Sequence, residues 1–350
     1  MKNNGYTVMQ IGCGKMSRYT MRYLLDKGFT IVGAYDINQD IIGKRVDQIF
    51  TEVKSDVPIS NISELDNISE KFADIAIIET MSLLNDIGDI SRKLLSKKIN
   101  IITTCEEAFF AQNSNPSLYK ELDILAKANG VTITGSGYQD VFWGNLIYTL
   151  AGSTHKIKKI KGSSSYNVEE YGIALADAHG VGLTTDDFDK QIASVDNITD
   201  DARQILINQR KFLPSYMWNT VGWLADKFNL NIINIKQRCV PILASENTYS
   251  DTLGKEIKQG NALGMSAIVT ANTKEGIVLE AECIGKVYVG DDIDLNEWTI
   301  YGEPDTSVII KKPQTVELTC ADVVNRITDV INAKPGFIPT SKMGTPNIIL

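Results

Sequence analysis

Two glycines lie directly beyond an apolar run in the first dozen residues: Thr7-Val8-Met9-Gln10-Ile11 leads into Gly12-Cys13-Gly14-Lys15-Met16-Ser17. A Gly-x-Gly turn between a strand and a helix lets the backbone bend sharply and present N–H groups to an anion such as a dinucleotide pyrophosphate. The third small position is Ser17 rather than Gly. Ser is still compact enough for close helix–strand packing, but the motif is weak alone and gains its weight from context. That context is Asp36, which closes the next apolar run, where a carboxylate can accept hydrogen bonds from an adenosine ribose. Gly12, Gly14, Lys15, Met16 and Asp36 therefore form the expected cofactor site, with Thr80 beyond the run Ala73–Ile78 as a further contact. The charge of Asp36 favours NAD. NADP stays open, because Lys44 and Arg45 can soften the penalty against a 2′-phosphate.

A second set follows the run Ile99–Thr104. Cys105-Glu106-Glu107-Ala108-Phe109-Phe110 puts two carboxylates where parallel strands of an open sheet present ligands, with phenyl rings able to desolvate one of them and raise its pKa. A general base follows from that reading, and a helix start favoured by acidic residues follows from the other. Position alone leaves both open. A third set, Gly135-Ser136-Gly137-Tyr138-Gln139-Asp140-Val141-Phe142-Trp143-Gly144-Asn145, is read as a crossover that walls a substrate site, with Tyr138, Gln139 and Trp143 as contacts. The competing reading is a linker with buried aromatics. His179, followed by glycine at 180 and 182, is a fourth substrate candidate, although a lone histidine is more often structural. Five cysteines without a CxxC pair and only two histidines, His155 and His179, give no metal site and poor material for a histidine triad.

The elements that must position these residues alternate. Thr7–Ile11, Thr30–Tyr35, Ala73–Ile78, Ile99–Thr104 and Val131–Thr134 read as strands, several unbroken by polar residues, as parallel strands buried on both faces should be. Between them run helical patterns, one capped by Ser82 with Leu83, Leu84, Ile87, Ile90, Leu94 and Leu95 on one face, another opened by Ser117. This order predicts an α/β fold with a Rossmann-type, doubly wound parallel sheet. Residues 157–234 read as mainly helical and 235–311 as β, giving a second α+β domain with a mainly antiparallel sheet. The expected divisions are a dinucleotide-binding domain over 1–137, a substrate and oligomerisation domain over 138–319, and over 320–350 a final helix and tail packing back on the first domain.

The chain has 350 residues, 43% of them hydrophobic, and a net charge of −8, which argues against a general role on nucleic acid or membrane surfaces. Its longest apolar runs fall far short of a bilayer span and no signal core is visible, so the expectation is cytoplasmic.

Taken in order, Gly12-x-Gly14, Ile31-Val32-Gly33-Ala34-Tyr35-Asp36, Gly43-Lys44, Thr103-Thr104-Cys105-Glu106-Glu107, Gly180-Val181-Gly182-Leu183-Thr184, Gly222-Trp223 and Pro335-Gly336 resemble the 2,4-diaminopentanoate dehydrogenases and related NAD(P)-dependent amine dehydrogenases, within the dihydrodipicolinate-reductase-like group. The resemblance covers most of the chain. It implies oxidative deamination of a small amine or diamino acid and the reverse reductive amination, with a small-molecule amine or ketone and ammonia as partners and a homodimer by analogy. It places the glutamate of the amine chemistry on the Glu106-Glu107 pair, Glu106 first. The chain departs from the family at Gln139-Asp140-Val141-Phe142, where Asn-Pro-Gly-Phe is usual, which bears on substrate choice. A sugar or polyol dehydrogenase of similar plan would carry Glu-Lys-Pro after this strand, a motif Cys105-Glu106-Glu107 lacks, and a dinucleotide sensor without chemistry is the non-enzyme alternative.

Overall fold

The structure is a computed structural model that describes residues 5–350. It divides into two compact units, one of residues 1–145, 207–213 and 314–350, the other of 146–206 and 214–313. The first division falls after Asn145 rather than after 137, so the Gly-rich crossover stays with the first unit.

In the first unit, β1 (Thr7–Ile11), β2 (Thr30–Asp36), β3 (Ile59–Asn61), β4 (Ile75–Ile78), β5 (Asn100–Thr103) and β6 (Thr132–Gly135) are joined by right-sized helical crossovers, including α1 (Ser17–Asp26), α2 (Leu84–Ser96) and α3 (Pro116–Asn129). Every pairing among them is parallel. Burial on both faces explains the unbroken apolar runs: all four residues of β4 are fully buried. Alternate side chains feed two cores. Met9, Ile11, Ala76 and Ile78 pack with Ile87 and Leu94 of α2 and Leu118 and Leu122 of α3, while Val8, Ile75 and Ile77 join Met21 and Leu24 of α1 on the opposite side.

Two expected caps are replaced. Ser82 does not cap α2; Leu83 occupies that position, and the first helical N–H is taken by a carboxylate from elsewhere, described below. The third helix starts one residue before Ser117, at Pro116, whose fixed φ and missing N–H suit a first helical position.

The second unit centres on a six-stranded sheet of β7 (Lys156–Asn167), β8 (Ile232–Leu243), β11 (Ala262–Thr273), β12 (Val278–Lys286), β13 (Leu295–Glu303) and β14 (Thr306–Lys311), in the order β14-β13-β7-β12-β11-β8, with a small hairpin of β9 (Thr248–Ser250) and β10 (Lys255–Ile257) beside it. All pairings in the large sheet are antiparallel except β7 with β12. The helical expectation over 157–234 fails at its start, since Lys156–Asn167 is a central strand. Lys159 and Lys161 pair across the sheet with Glu280 at 3.0 and 3.4 Å. The helical part is real further on, ending in α4 (Tyr216–Lys227), which packs on β11 and β12. Leu279, Ala281 and Cys283 are buried along β12 while the residues between them are only partly so.

The chain then returns to the first unit. There α5 (Thr315–Asn332), beginning before the expected Cys320, lays Val323, Ile327 and Val330 on the core that α1 covers, and β15 (Gly336–Phe337) adds a seventh parallel strand beside β6. The final order is β15-β6-β5-β4-β1-β2-β3.

Candidate active site

The carboxyl ends of β1, β4, β5 and β6 lie side by side, and the loops leaving them carry most of the residues singled out from sequence. Gly12 has φ +90° and a Cβ there would sit 2.4 Å from the Glu79 carbonyl oxygen and 2.8 Å from Thr80 Cγ2, so only glycine lets the turn rest on the end of β4. Gly14 is different: nothing lies within 4 Å of where its Cβ would be. That open ground faces the start of α1, whose N-cap residue Met16 makes no side-chain cap. Helix N–H groups left uncapped beside open space are suited to an anion. Ser17 closes the turn, its hydroxyl donating to the Gly14 carbonyl at 2.8 Å. Lys15 is exposed at the turn and Met16 half-buried behind it.

Asp36 is joined to this turn. Its Oδ2 accepts the Cys13 N–H at 2.6 Å, and its Oδ1 accepts those of Ile37 and Asn38 at 2.7 and 2.8 Å. A carboxylate oxygen has about two acceptor positions, so Oδ2 retains one beside the turn. Of the two cations weighed against Asp36 from sequence, Arg45 is engaged with Asp47 at 2.8 Å; Lys44 is exposed.

The adjacent glutamates have different surroundings. Glu107 is 3% exposed, and its Oε2 accepts the Leu84 N–H of α2 at 2.7 Å, the cap that Ser82 does not provide. Burial pushes its pKa up, while the Leu84 N–H and the Ser114 hydroxyl pull the other way. Glu106 keeps partial access to solvent. Burial also raises its pKa, against a hydrogen bond from Ser82. Ser82 further accepts the Glu107 N–H at 3.1 Å through its carbonyl, so the loop after β4 and the loop after β5 are tied together. This brings Glu106 beside the loop holding Thr80 and, through it, Gly12.

Gly135 supports that loop from below: a Cβ would fall 2.4 Å from the Ala108 carbonyl carbon and 2.5 Å from the Phe109 nitrogen. Beyond it, Tyr138 stacks on Phe142 with ring centroids 4.4 Å apart and meets Trp143 edge-on at 5.8 Å. All three rings belong to a wide π-type turn and its approach. Gln139 is half-buried against Gly137. The crossover is anchored by a buried polar cluster that sequence reasoning did not find. Arg326 of α5 and Asp140 form a 2.7 Å ion pair with both side chains fully buried, Ser136 Oγ donates to Asp322 at 2.6 Å, and Asp322 also accepts the Gly137 N–H at 3.1 Å. Burial and the Asp140 charge hold the Asp322 carboxyl well above the usual range.

No family model matches the chain. A structure of an amine dehydrogenase from Mycobacterium smegmatis is 32% identical, with a TM-score of 0.81, covering 98% of this chain and 97% of that one. The chain belongs to the amine dehydrogenase family. The 2,4-diaminopentanoate dehydrogenase of Acetoanaerobium sticklandii is 25% identical over 98% of this chain and 94% of its own length. A myo-inositol 2-dehydrogenase of Lactobacillus plantarum, 10% identical with a TM-score of 0.56 over 93% of this chain and 88% of that one, shares the fold.

Within this amine dehydrogenase the structure groups Gly12, Gly14, Lys15, Met16, Asp36, Thr80, Glu106, Tyr138, Gln139 and Trp143 in the first unit. His179 belongs to the second. There it is 5% exposed with both ring nitrogens engaged, Nδ1 with the Leu175 carbonyl at 2.8 Å and Nε2 with the Tyr166 hydroxyl at 2.6 Å. The carbonyl can only accept, so Nδ1 carries the proton and Nε2 accepts from Tyr166. Burial lowers its pKa, against the hydrogen bond to the Leu175 carbonyl. The amine dehydrogenase also holds one acidic residue that sequence reading missed, Glu79, directly after β4. Its oxygens accept from Thr20 Oγ1 at 2.6 Å and Gln10 Nε2 at 2.9 Å. A single acid at a strand end has no sequence signature; the clue was its place between an apolar strand and a polar loop.

Proposed function

We propose that this chain is an NAD(P)-dependent dehydrogenase that converts a small amine or diamino acid, of the 2,4-diaminopentanoate kind, to the ketone and ammonia, and runs in reverse by reductive amination. The observation carrying this reading is the placement of Glu106, half-accessible and raised in pKa, next to the loop that borders an open, uncapped Gly turn. Gly12, Gly14, Lys15, Met16 and Thr80 would hold the dinucleotide, its pyrophosphate at the start of α1, and Asp36 the adenosine ribose. The nicotinamide group supplies a hydride acceptor when bound.

Glu106 supplies the proton chemistry. An ammonium substrate cannot lose hydride from its α-carbon until the nitrogen lone pair is free, so Glu106 first takes a proton from the nitrogen. Once that proton has passed to solvent, Glu106 takes one from the water that adds to the C=N carbon, hands it to the nitrogen so that the C–N bond can break and ammonia leave, and accepts the hydroxyl proton as the carbonyl forms. Both steps need one positioned base with a pKa closer to neutrality than an exposed carboxylate. Ser82 fixes its direction. Tyr138, Phe142 and Trp143 offer an apolar wall that keeps bulk water from the reacting carbon, and Gln139 a polar contact for a second substrate group. His179 is assigned to holding its own unit together. We assign Asp36 the choice of NAD over NADP, the half-buried face of the β12 sheet to contact with a second copy in a homodimer, and the cytoplasm as the location.

NADH consumption with a panel of small ketones, each with and without ammonium, tests the activity. Ammonium-dependent oxidation is expected. Equal rates without ammonium would mean alcohol formation and refute the amine assignment, and binding of NAD without turnover of any compound would favour a sensor.

A further inference from the structure

Glu79 takes no part in the chemistry above, yet its surroundings tie it to the turn that receives the dinucleotide. Gln10, fully buried on β1, donates through the same Nε2 to Glu79 at 2.9 Å and to the Gly12 carbonyl at 2.9 Å. Thr20, in the opening turns of α1, donates to its other oxygen at 2.6 Å. The carboxyl thus lies one side chain away from both halves of the anion site, the Gly turn and the α1 terminus. It is half-buried, and its main chain is what Gly12 rests on.

The neighbouring charges give it no help as an anion. No basic side chain of the described residues pairs with it; the titratable groups facing it are the thiols of Cys13 on the turn and Cys320 on α5, both pushed by burial to about 12 and therefore uncharged. Beyond them stand two more acids, Asp36 near Cys13 and Glu317 near Cys320. A pyrophosphate laid over this turn would add negative charge to a place already acidic.

We propose that Glu79 takes up a proton when the dinucleotide binds, so that cofactor affinity is coupled to pH through a positioning residue beneath the turn. This rests on the cofactor reading above. Thr20 suits either state, because a hydroxyl at 2.6 Å donates to a carboxylate or accepts from a carboxylic acid. Burial raises the Glu79 pKa to about 7 before any ligand arrives, against the hydrogen bonds from Thr20 and Gln10, which places the switch within a testable range. The added anion moves it higher still.

The test is calorimetric titration with NAD+ between pH 6 and 9, in two buffers of different ionisation enthalpy at each pH. Wild-type protein should take up about half a proton per NAD+ at pH 7 and more above it, with affinity constant below pH 6.5 and falling by up to about tenfold per unit above 7. Glu79→Gln mimics the protonated acid in shape; it should bind at pH 8.5 as tightly as wild type at pH 6, with no proton uptake at Glu79's midpoint. Thr20→Val removes a donor that stabilises the carboxylate and should move the midpoint upward, giving a second reading that does not depend on the first variant folding. A flat profile with intact binding, or an unchanged profile in either folded variant, would overturn the proposal and leave the cofactor site standing. Absence of NAD+ binding at every pH would overturn the cofactor reading and the proposal together.

Discussion

Two adjacent carboxylates with different partners should fail in different ways when removed. Glu107→Ala deletes the acceptor of the Leu84 N–H, a 2.7 Å bond to a charged group inside the protein, and leaves the first N–H of α2 buried without its cap. A hydrogen bond to a charged group is worth roughly 1.5–3 kcal/mol, and the loss of a helix N-cap alone roughly 0.5–2 kcal/mol, so the charged bond sets the cost. For a unit of this size each kcal/mol lowers Tm by about 2–4 °C, so Tm should fall by about 3–12 °C. Activity per folded molecule should change little at temperatures well below the transition. Glu106→Gln keeps the size of its side chain and can still meet Ser82, so Tm should hold within about 2 °C while kcat falls by on the order of 10² to 10⁴. Differential scanning calorimetry and steady-state deamination on the same two preparations separate the effects. If Glu107→Ala kept its Tm and lost activity, or Glu106→Gln kept near-normal kcat, the division of roles between the two residues would be wrong.

Asp36→Ser removes the charge beside the turn and should shift the NAD to NADP efficiency ratio toward NADP by about tenfold or more, a change of about 1.4 kcal/mol; a wild type that already prefers NADP strongly would transfer cofactor choice to Lys44. Because burial raises the Glu106 pKa and the base must be ionised to act, kcat/KM for deamination should decline as pH falls through a midpoint above the ordinary carboxylate range, and that limb should vanish in Glu106→Gln. Arg326→Leu strands Asp140 in a fully buried site and should cost about 3–5 kcal/mol of stability, with much of it recovered by adding Asp140→Asn, as thermal unfolding of the single and double variants would reveal.

Local chemistry explains what sequence could reveal. The Gly turn, the apolar run of β4 and the glutamates after β5 are each legible because a few consecutive residues state the requirement: φ above zero, burial on two faces, charge at a strand end. What was hidden depended on distant partners. Lys156–Asn167 becomes a strand because Glu280, more than a hundred positions away, neutralises its lysines. The cap of α2 comes from Glu107 and not from Ser82, twenty-five positions earlier in the chain, since the loops after β4 and β5 meet only in the folded sheet. Asp140 carries no sign in the sequence of the partner that holds it, Arg326, which lies 186 positions further on. The distinction between Glu106 and Glu107 also needed the fold, because only there does the Leu84 N–H fall to Glu107 and the Ser82 hydroxyl to Glu106.

The two-residue strand Gly336–Phe337 has a consequence for synthesis. The sheet that carries the Gly turn draws its first strand from Thr7 and its last from Gly336, with Phe337 fully in the core and the Tyr119 hydroxyl donating to its carbonyl at 3.1 Å. During translation the whole second unit is synthesised before α5 and β15 exist to complete the first. The unit that carries the Gly turn is therefore begun first and finished last, and a nascent chain arrested before residue 314 would carry an intact Gly12–Ser17 motif without the helix that anchors Asp140 in the aromatic crossover.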